Sequence, residues 1–208
     1  MKVERKADHA VSDTSCKSAT GKTLAEWFKA LDDHGGVALG RRSLGNWILE
    51  REVDPWWSAT ICSEYEIARG VLAADGKPKG YSICPTKSIK ASARKCFAAF
   101  ADARALNAWF GPKHDVDLRD GGYWRNSDGN RATVRKVNPG KNIRLLAEDE
   151  GLTLPTPVEI KFEAQTTAKG DKCTVMVSIE RLQTRAEADG YRRAWGEALE
   201  RLRAYVEG

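Results

Sequence analysis

Apolar residues in the last stretch of the chain, Thr184 to Val206, recur at steps of three and four. Ala188, Tyr191, Ala194, Trp195, Ala198, Leu199, Leu202, Tyr205 and Val206 make one stripe, and charged residues such as Arg185, Arg192, Glu197 and Arg201 occupy the other face. This period predicts a long amphipathic helix. Thr184 supplies an N-cap and Glu187 completes a capping box. A stripe of this width needs an apolar surface to lie on, and the preceding segments offer one. Val158, Ile160 and Phe162 alternate with Glu159, Lys161 and Glu163, and Val175, Val177 and Ile179 repeat the period of two. Alternation of this kind predicts an antiparallel sheet with one apolar face and one wet face.

The same reading organises the rest of residues 81–208. Tyr81 to Ile89 is expected as a first strand. Two short helices follow, one opened by Ser92 and one from Asp102 to Trp109. Six strand-like segments come next: 114–118, 122–126, 130–137, 141–148, 158–167 and 172–182. Turn chemistry separates them at Asp120-Gly121-Gly122, Asp128-Gly129-Asn130, Asn138-Pro139-Gly140 and Lys169-Gly170-Asp171. The class is α+β, with seven strands and a closing helix.

Upstream, residues 20–70 read as a three-helix domain. Thr20 or Thr23 opens the first helix, Ser43 caps the second, and Asp54-Pro55 starts the third. Trp27, Trp47, Trp56 and Trp57 fall within it, and large side chains are what a small core needs. Adjacent tryptophans cannot both face one way on a helix, so Trp56 or Trp57 is a candidate contact for a partner. Residues 1–19 lack periodicity and are expected as a flexible arm. Residues 71–80 have the Gly, Pro and Lys of a linker.

Particular residues bring in a family. Trp109-Phe110-Gly111-Pro112 closes the helix pair, and Asp117-Leu118-Arg119-Asp120-Gly121-Gly122 leads into Tyr123-Trp124-Arg125. Trp195-Gly196-Glu197-Ala198-Leu199-Glu200-Arg201-Leu202 lies in the final helix. In this order they resemble the SRPBCC (START-like, helix-grip) superfamily, in the branch named after the activator of the heat-shock-protein-ninety ATPase. The resemblance covers about residues 80–208. It implies a curved antiparallel sheet wrapped round the last helix, with a cavity between them for an apolar molecule. A minority of such proteins are enzymes, so the fold leaves the function open. The segment Asp149 to Pro155 departs from that branch, being short and without a tryptophan often found before it. Residues 20–70 resemble a small helical domain of unknown function found in bacterial proteins.

On this expectation the candidate ligand-lining residues are Trp109, Phe110, Leu118, Trp124, Arg125, Val134, Leu145, Phe162, Val177, Tyr191, Trp195 and Leu199. Within that set the indole and phenol groups of Trp124, Trp195 and Tyr191 best suit a pocket, since their polar atoms want partners. Arg125 points outward or meets an anionic head. Leu202, Tyr205 and Val206 are expected to seal the core.

Composition narrows the rest. The net charge is +5. Residues 1–85 hold 12 Lys/Arg and 12 Asp/Glu, and residues 86–208 hold 22 and 17. So mild an excess, spread over several elements, reads as a solvated surface, and nucleic acid is not expected as a partner. Cys16, Cys62, Cys84, Cys96 and Cys173 are odd in number and show no CxxC pair, which suits reduced thiols in the cytoplasm. No apolar run is long enough to span a membrane, and the first twenty residues carry no signal core. His9, His34 and His114 share no metal-ligand spacing, so neither a metal nor another cofactor is expected. Gly21-Lys22-Thr23 lacks the earlier glycine of a phosphate loop, since Cys16 stands there. Asp117 and Glu180 are acid-base candidates only if they face an apolar cavity. No catalytic constellation is identifiable. The leading expectation is a module that binds a small apolar or amphipathic ligand. The alternatives are a co-chaperone or other protein-interaction role and a cyclase- or hydrolase-type enzyme.

Overall fold

In a computed structural model, which describes residues 1–5, 11–167 and 170–208, the chain divides into two compact units. Met1–Ala7 joins Ser82–Gly208 in one, and Asp8–Tyr81 forms the other. His9 and Lys169 lie outside the described residues.

The helical unit contains α1 (Asp13–Thr20), α2 (Leu24–Asp33), a 3-10 turn (Gly36–Leu39), α3 (Gly40–Leu49) and α4 (Pro55–Ala68). Where an arm is expected, α1 forms. Ser12 caps it, accepting from the Ser15 amide, and Cys16 is fully buried. One small buried thiol is too little apolar signal to show as periodicity. Thr23, not Thr20, opens α2, with Glu26 completing a capping box, while the Thr20 hydroxyl accepts from Trp27 Nε1 at 2.8 Å. Ser43 does not cap α3, because the 3-10 turn runs straight into Gly40 and no side-chain cap is made. Pro55 stands at the first position of α4, as its fixed φ favours. The core gathers Cys16, Trp27, Leu31, Leu44, Ile48, Val53, Ile61, Cys62 and Tyr65, with Trp47 and Trp57 half-buried against it. Residues 71–80 do not behave as a free linker. Leu72 bridges Pro78, and Lys79 and the Gly80 carbonyl bond to Glu66 and Arg41.

The second unit holds an eight-stranded antiparallel sheet and three helices: β1 (Tyr81–Ile83), β2 (Thr86–Ile89), α5 (Ala93–Ala98), α6 (Ala103–Trp109), β3 (Asp115–Val116), β4 (Tyr123–Arg125), β5 (Arg131–Asn138), β6 (Asn142–Ala147), β7 (Thr156–Thr167), β8 (Gly170–Leu182) and α7 (Arg185–Glu207). The order is β1-β8-β7-β6-β5-β4-β3, with β2 also on β8. The expected single first strand is two, because Cys84-Pro85 interrupts it; Pro85 has no N–H for a ladder. A register shift between Val134 and Lys136 bends β5 as a bulge does.

Rows of inward side chains cross this curved sheet. Val134 pairs with Leu145, Leu145 with Val158, and Val158 with Ile179. The neighbouring row runs through Trp124, Ala132 and Ala147. On these rows lies α7, burying Ala188, Tyr191, Ala194, Trp195, Ala198, Leu199, Leu202 and Val206. Tyr205 departs from the expectation: it is 45% exposed, because it falls one position before Val206, which takes the place on the stripe. The capping box at Thr184 forms, and Glu187 also accepts from the Gln183 amide and from both the amide and hydroxyl of Thr153. No described helix is long and apolar enough to cross a membrane.

Candidate functional site

Between β4–β6 and α7 lies an internal space whose walls follow from residue size. In the second row of the sheet, Ala132 and Ala147 are small, so the floor drops there. Leu145 and Val158 form the next step, and Phe110, Trp124, Tyr191 and Trp195 close the sides and roof. Phe110 sits at the centre of the aromatic wall, 5.3 Å from Trp124 and 5.1 Å from Trp195 between ring centroids. Tilted and edge-on arrangements such as these are the favoured ones. The remaining wall is Met1, Asn130, Arg131 and Asp149.

The space is nearly filled. Its volume is about 30 Å³, which admits about one water and falls far short of the several hundred Å³ of a drug-sized ligand site. Met1, 3% exposed, is one of the residues that line it.

One end of the space is polar and closely bonded. The buried Asp149 accepts from Tyr191 Oη at 2.5 Å, Asn130 Nδ2 at 3.1 Å and the Arg131 amide at 2.6 Å. The Met1 amino group donates to Asp128 at 2.8 Å and to Asn130 Oδ1 at 2.7 Å. Burial lowers the pKa of that amine, and the Asp128 carboxylate opposes the shift. Burial first, then the Asp149 charge, holds the Tyr191 phenol far above its ordinary range, so it remains a hydrogen donor. Beside this end, His114 contacts Asn107 Oδ1 through Nδ1 at 3.1 Å and Asn126 Nδ2 through Nε2 at 3.2 Å. Burial and the nearby Met1 ammonium pull its pKa down to about 4. The ring is therefore neutral at pH 7, donating from Nδ1 and accepting at Nε2.

Of the twelve expected residues, the structure brings Phe110, Trp124, Leu145, Tyr191 and Trp195 to the space. The other seven are elsewhere. Trp109 is buried with its Nε1 donating to the Ala99 carbonyl at 2.9 Å. Phe162 packs on Phe97 and Phe100. Val134, Val177 and Leu199 are fully buried core, and Leu118 is half-buried in the turn before β4. Arg125 points outward, paired to Asp115 at 2.5 Å and lying over Tyr123. Neither acid-base candidate faces the space: Asp117 pairs with Arg119, and Glu180 is exposed. Sequence reasoning missed Met1, Asn130, Arg131, Ala132, Ala147, Asp149 and Val158. No local signal marked them: Ala132 and Ala147 leave room only because the β5–β6 register sets them side by side. Among the described residues, no three of His, Cys, Asp and Glu gather as metal ligands.

A curved antiparallel sheet gripping a long C-terminal helix is the helix-grip architecture of the SRPBCC superfamily. A sequence profile described as "Activator of Hsp90 ATPase homolog 1-like protein" matches residues 90–207, and the chain belongs to that family. Solved structures share the fold. CalU16 from Micromonospora echinospora superposes in its solution structure at TM-score 0.54 and 20% identity, over 61% of this chain and 66% of that one. Its crystal structure gives 0.53 and 18%, over 60% and 75%. The Aha1 dimer from Colwellia psychrerythraea gives 0.50 and 20%, over 61% and 96%. No curated protein sequence matches the chain.

Proposed function

We propose that this chain is a cytoplasmic binding module for a small amphipathic molecule, seated between the sheet and α7. The observation that supports this most directly is the composition of the site. Phe110, Trp124 and Trp195 present apolar ring faces, and a polar end built from Asp149, Tyr191 and Asn130 stands beside them. Desolvation of a tail supplies affinity, and the polar end orients the head. The free thiols of all five cysteines fit a reducing compartment. Native mass spectrometry of freshly purified protein, followed by titration with amphiphiles read through tryptophan emission, tests the reading. A ligand-dependent change that saturates supports it. A flat response to every head-group class removes it.

A second reading follows from the family description, in which an activator of the Hsp90 ATPase is named. A contact with a chaperone ATPase predicts co-purification of that partner and a change in its turnover when the chain is added. Unaltered turnover at saturating chain concentration rejects it. Enzymatic turnover has weaker support. Asp149 is a carboxylate on the wall, yet its oxygens already accept from Tyr191, Asn130 and the Arg131 amide.

A further inference from the structure

We propose that the segment Met1–Arg5 is a removable occupant of the cavity, and that the ligand replacing it is an amphiphile with a cationic head. The inference rests on the binding role proposed above and names its ligand class.

The segment lies where a ligand would. Met1 shares the walls of the internal space with Phe110, Trp124 and Trp195. It belongs to no helix or strand, so leaving does not break an element. Its seat is shaped for close approach by glycines. A Cβ on Gly111 would stand 2.5 Å from the Met1 nitrogen, and one on Gly190 of α7 would stand 2.5 Å from the Glu4 carbonyl oxygen. The seat is imperfect at one point: Arg5 Nε is buried with no hydrogen-bond partner among the described residues. An unpaired buried donor raises the energy of the seated state, and so favours exchange.

Charge at the polar end selects the head. The Met1 ammonium pairs with Asp128, and Arg5 lies in the same recess as Asp128 and Asp149. When the segment leaves, both cations leave with it, and two carboxylates remain at the mouth of an apolar space. A cationic head restores the pairing. A neutral head leaves Asp128 without the partner it has in Met1, and an anionic one adds repulsion. Tail length follows from volume: the space freed is one methionine side chain plus about 30 Å³, which suits a chain of about six carbons.

The chain contains two methionines, Met1 and Met176, so methyl-labelled methionine gives two resonances. n-Hexylamine should move the Met1 methyl resonance to its free-peptide position as binding saturates. Hexanol and hexanoate should need at least about tenfold more ligand. Gly190→Ala should release Met1 without ligand and tighten hexylamine about tenfold or more, since the cost of opening is removed. Gly196→Ala is the control. It lies on the same helix and gains the same helix propensity, but its Cβ meets nothing within 4 Å. Saturation by hexylamine with the Met1 methyl unmoved would overturn the proposal, as would equal affinities of Gly190→Ala and Gly196→Ala. Equal affinities for the three probes would overturn the choice of head. Binding of no probe by any of the three proteins, with the methyl freed in Gly190→Ala, defeats the binding role and leaves the occupant assignment standing. The titration of the unmutated chain decides the matter independently of either variant.

Discussion

At the level of single residues, the polar end of the cavity makes two measurable demands. Tyr191 gives Asp149 a 2.5 Å hydrogen bond inside the protein. Tyr191→Phe keeps the ring and removes the donor, so it should cost about 1.5–3 kcal/mol of stability in urea unfolding. A loss below a few tenths would mean that water replaces the phenol. His114 makes a demand of a different kind. Burial and the Met1 ammonium hold its pKa near 4, against 6.5 in the unfolded chain. Between those values the unfolded state binds the extra proton, so stability rises with pH through that window. The His114 contribution is complete above about pH 6.5 and is lost as pH falls toward 4. It should amount to about 2–3 kcal/mol. Because carboxylates also titrate there, the test is a difference. His114→Gln should flatten the slope of stability between pH 6.5 and 4, and an unchanged slope would sink the assignment.

Among the elements, α7 decides most. Its capping box does more than end a helix, because Glu187 gathers the Gln183, Thr184 and Thr153 amides and the Thr153 hydroxyl into one buried carboxylate. Thr184→Ala removes one cap acceptor and should cost about 1 kcal/mol. Glu187→Ala strands several donors and should cost at least about twice that. Equal costs in chemical denaturation would show that solvent satisfies the freed amides. This helix was readable in the sequence because cap, period and partner surface agree with one another. The strands β7 and β8 were readable for the same reason. Elements whose signal depends on tertiary contact were not. Only Cys16 of α1 is buried, too few apolar positions to set a period. The split between β1 and β2 turns on one proline. The same limit applies to the site. Its aromatic members stood out by type, but Ala132 and Ala147 matter because cross-strand register sets them side by side, and Asp149 matters because it meets Tyr191 across 42 positions of sequence.

On the scale of the whole molecule, two cores stand in one chain. The helical unit has its own buried cluster around Trp27, Leu31 and Tyr65, while Met1–Ala7 belongs with Ser82–Gly208. Residues 1–5 therefore pack within the second unit although the sequence places them before the first. No local pattern could show this: Met1 and Val3 are isolated apolar residues in a polar stretch, and the burial of Met1 depends on a seat formed more than a hundred positions later. Two cores predict two unfolding transitions, for which one unfolding free energy would not describe the chain. A ligand bound only by the folded second unit stabilises that unit by mass action. At one hundred times its apparent dissociation constant, which already includes the cost of displacing Met1–Arg5, the gain is about 2.7 kcal/mol. Calorimetry with n-hexylamine should raise the transition reported by the second unit and leave that of the helical unit unmoved. In Gly190→Ala, where no displacement is needed, the same ligand concentration should give the larger rise. A shift of both transitions together would show that the two cores unfold as one cooperative body. A smaller rise in the variant than in the parent chain would contradict the occupant assignment.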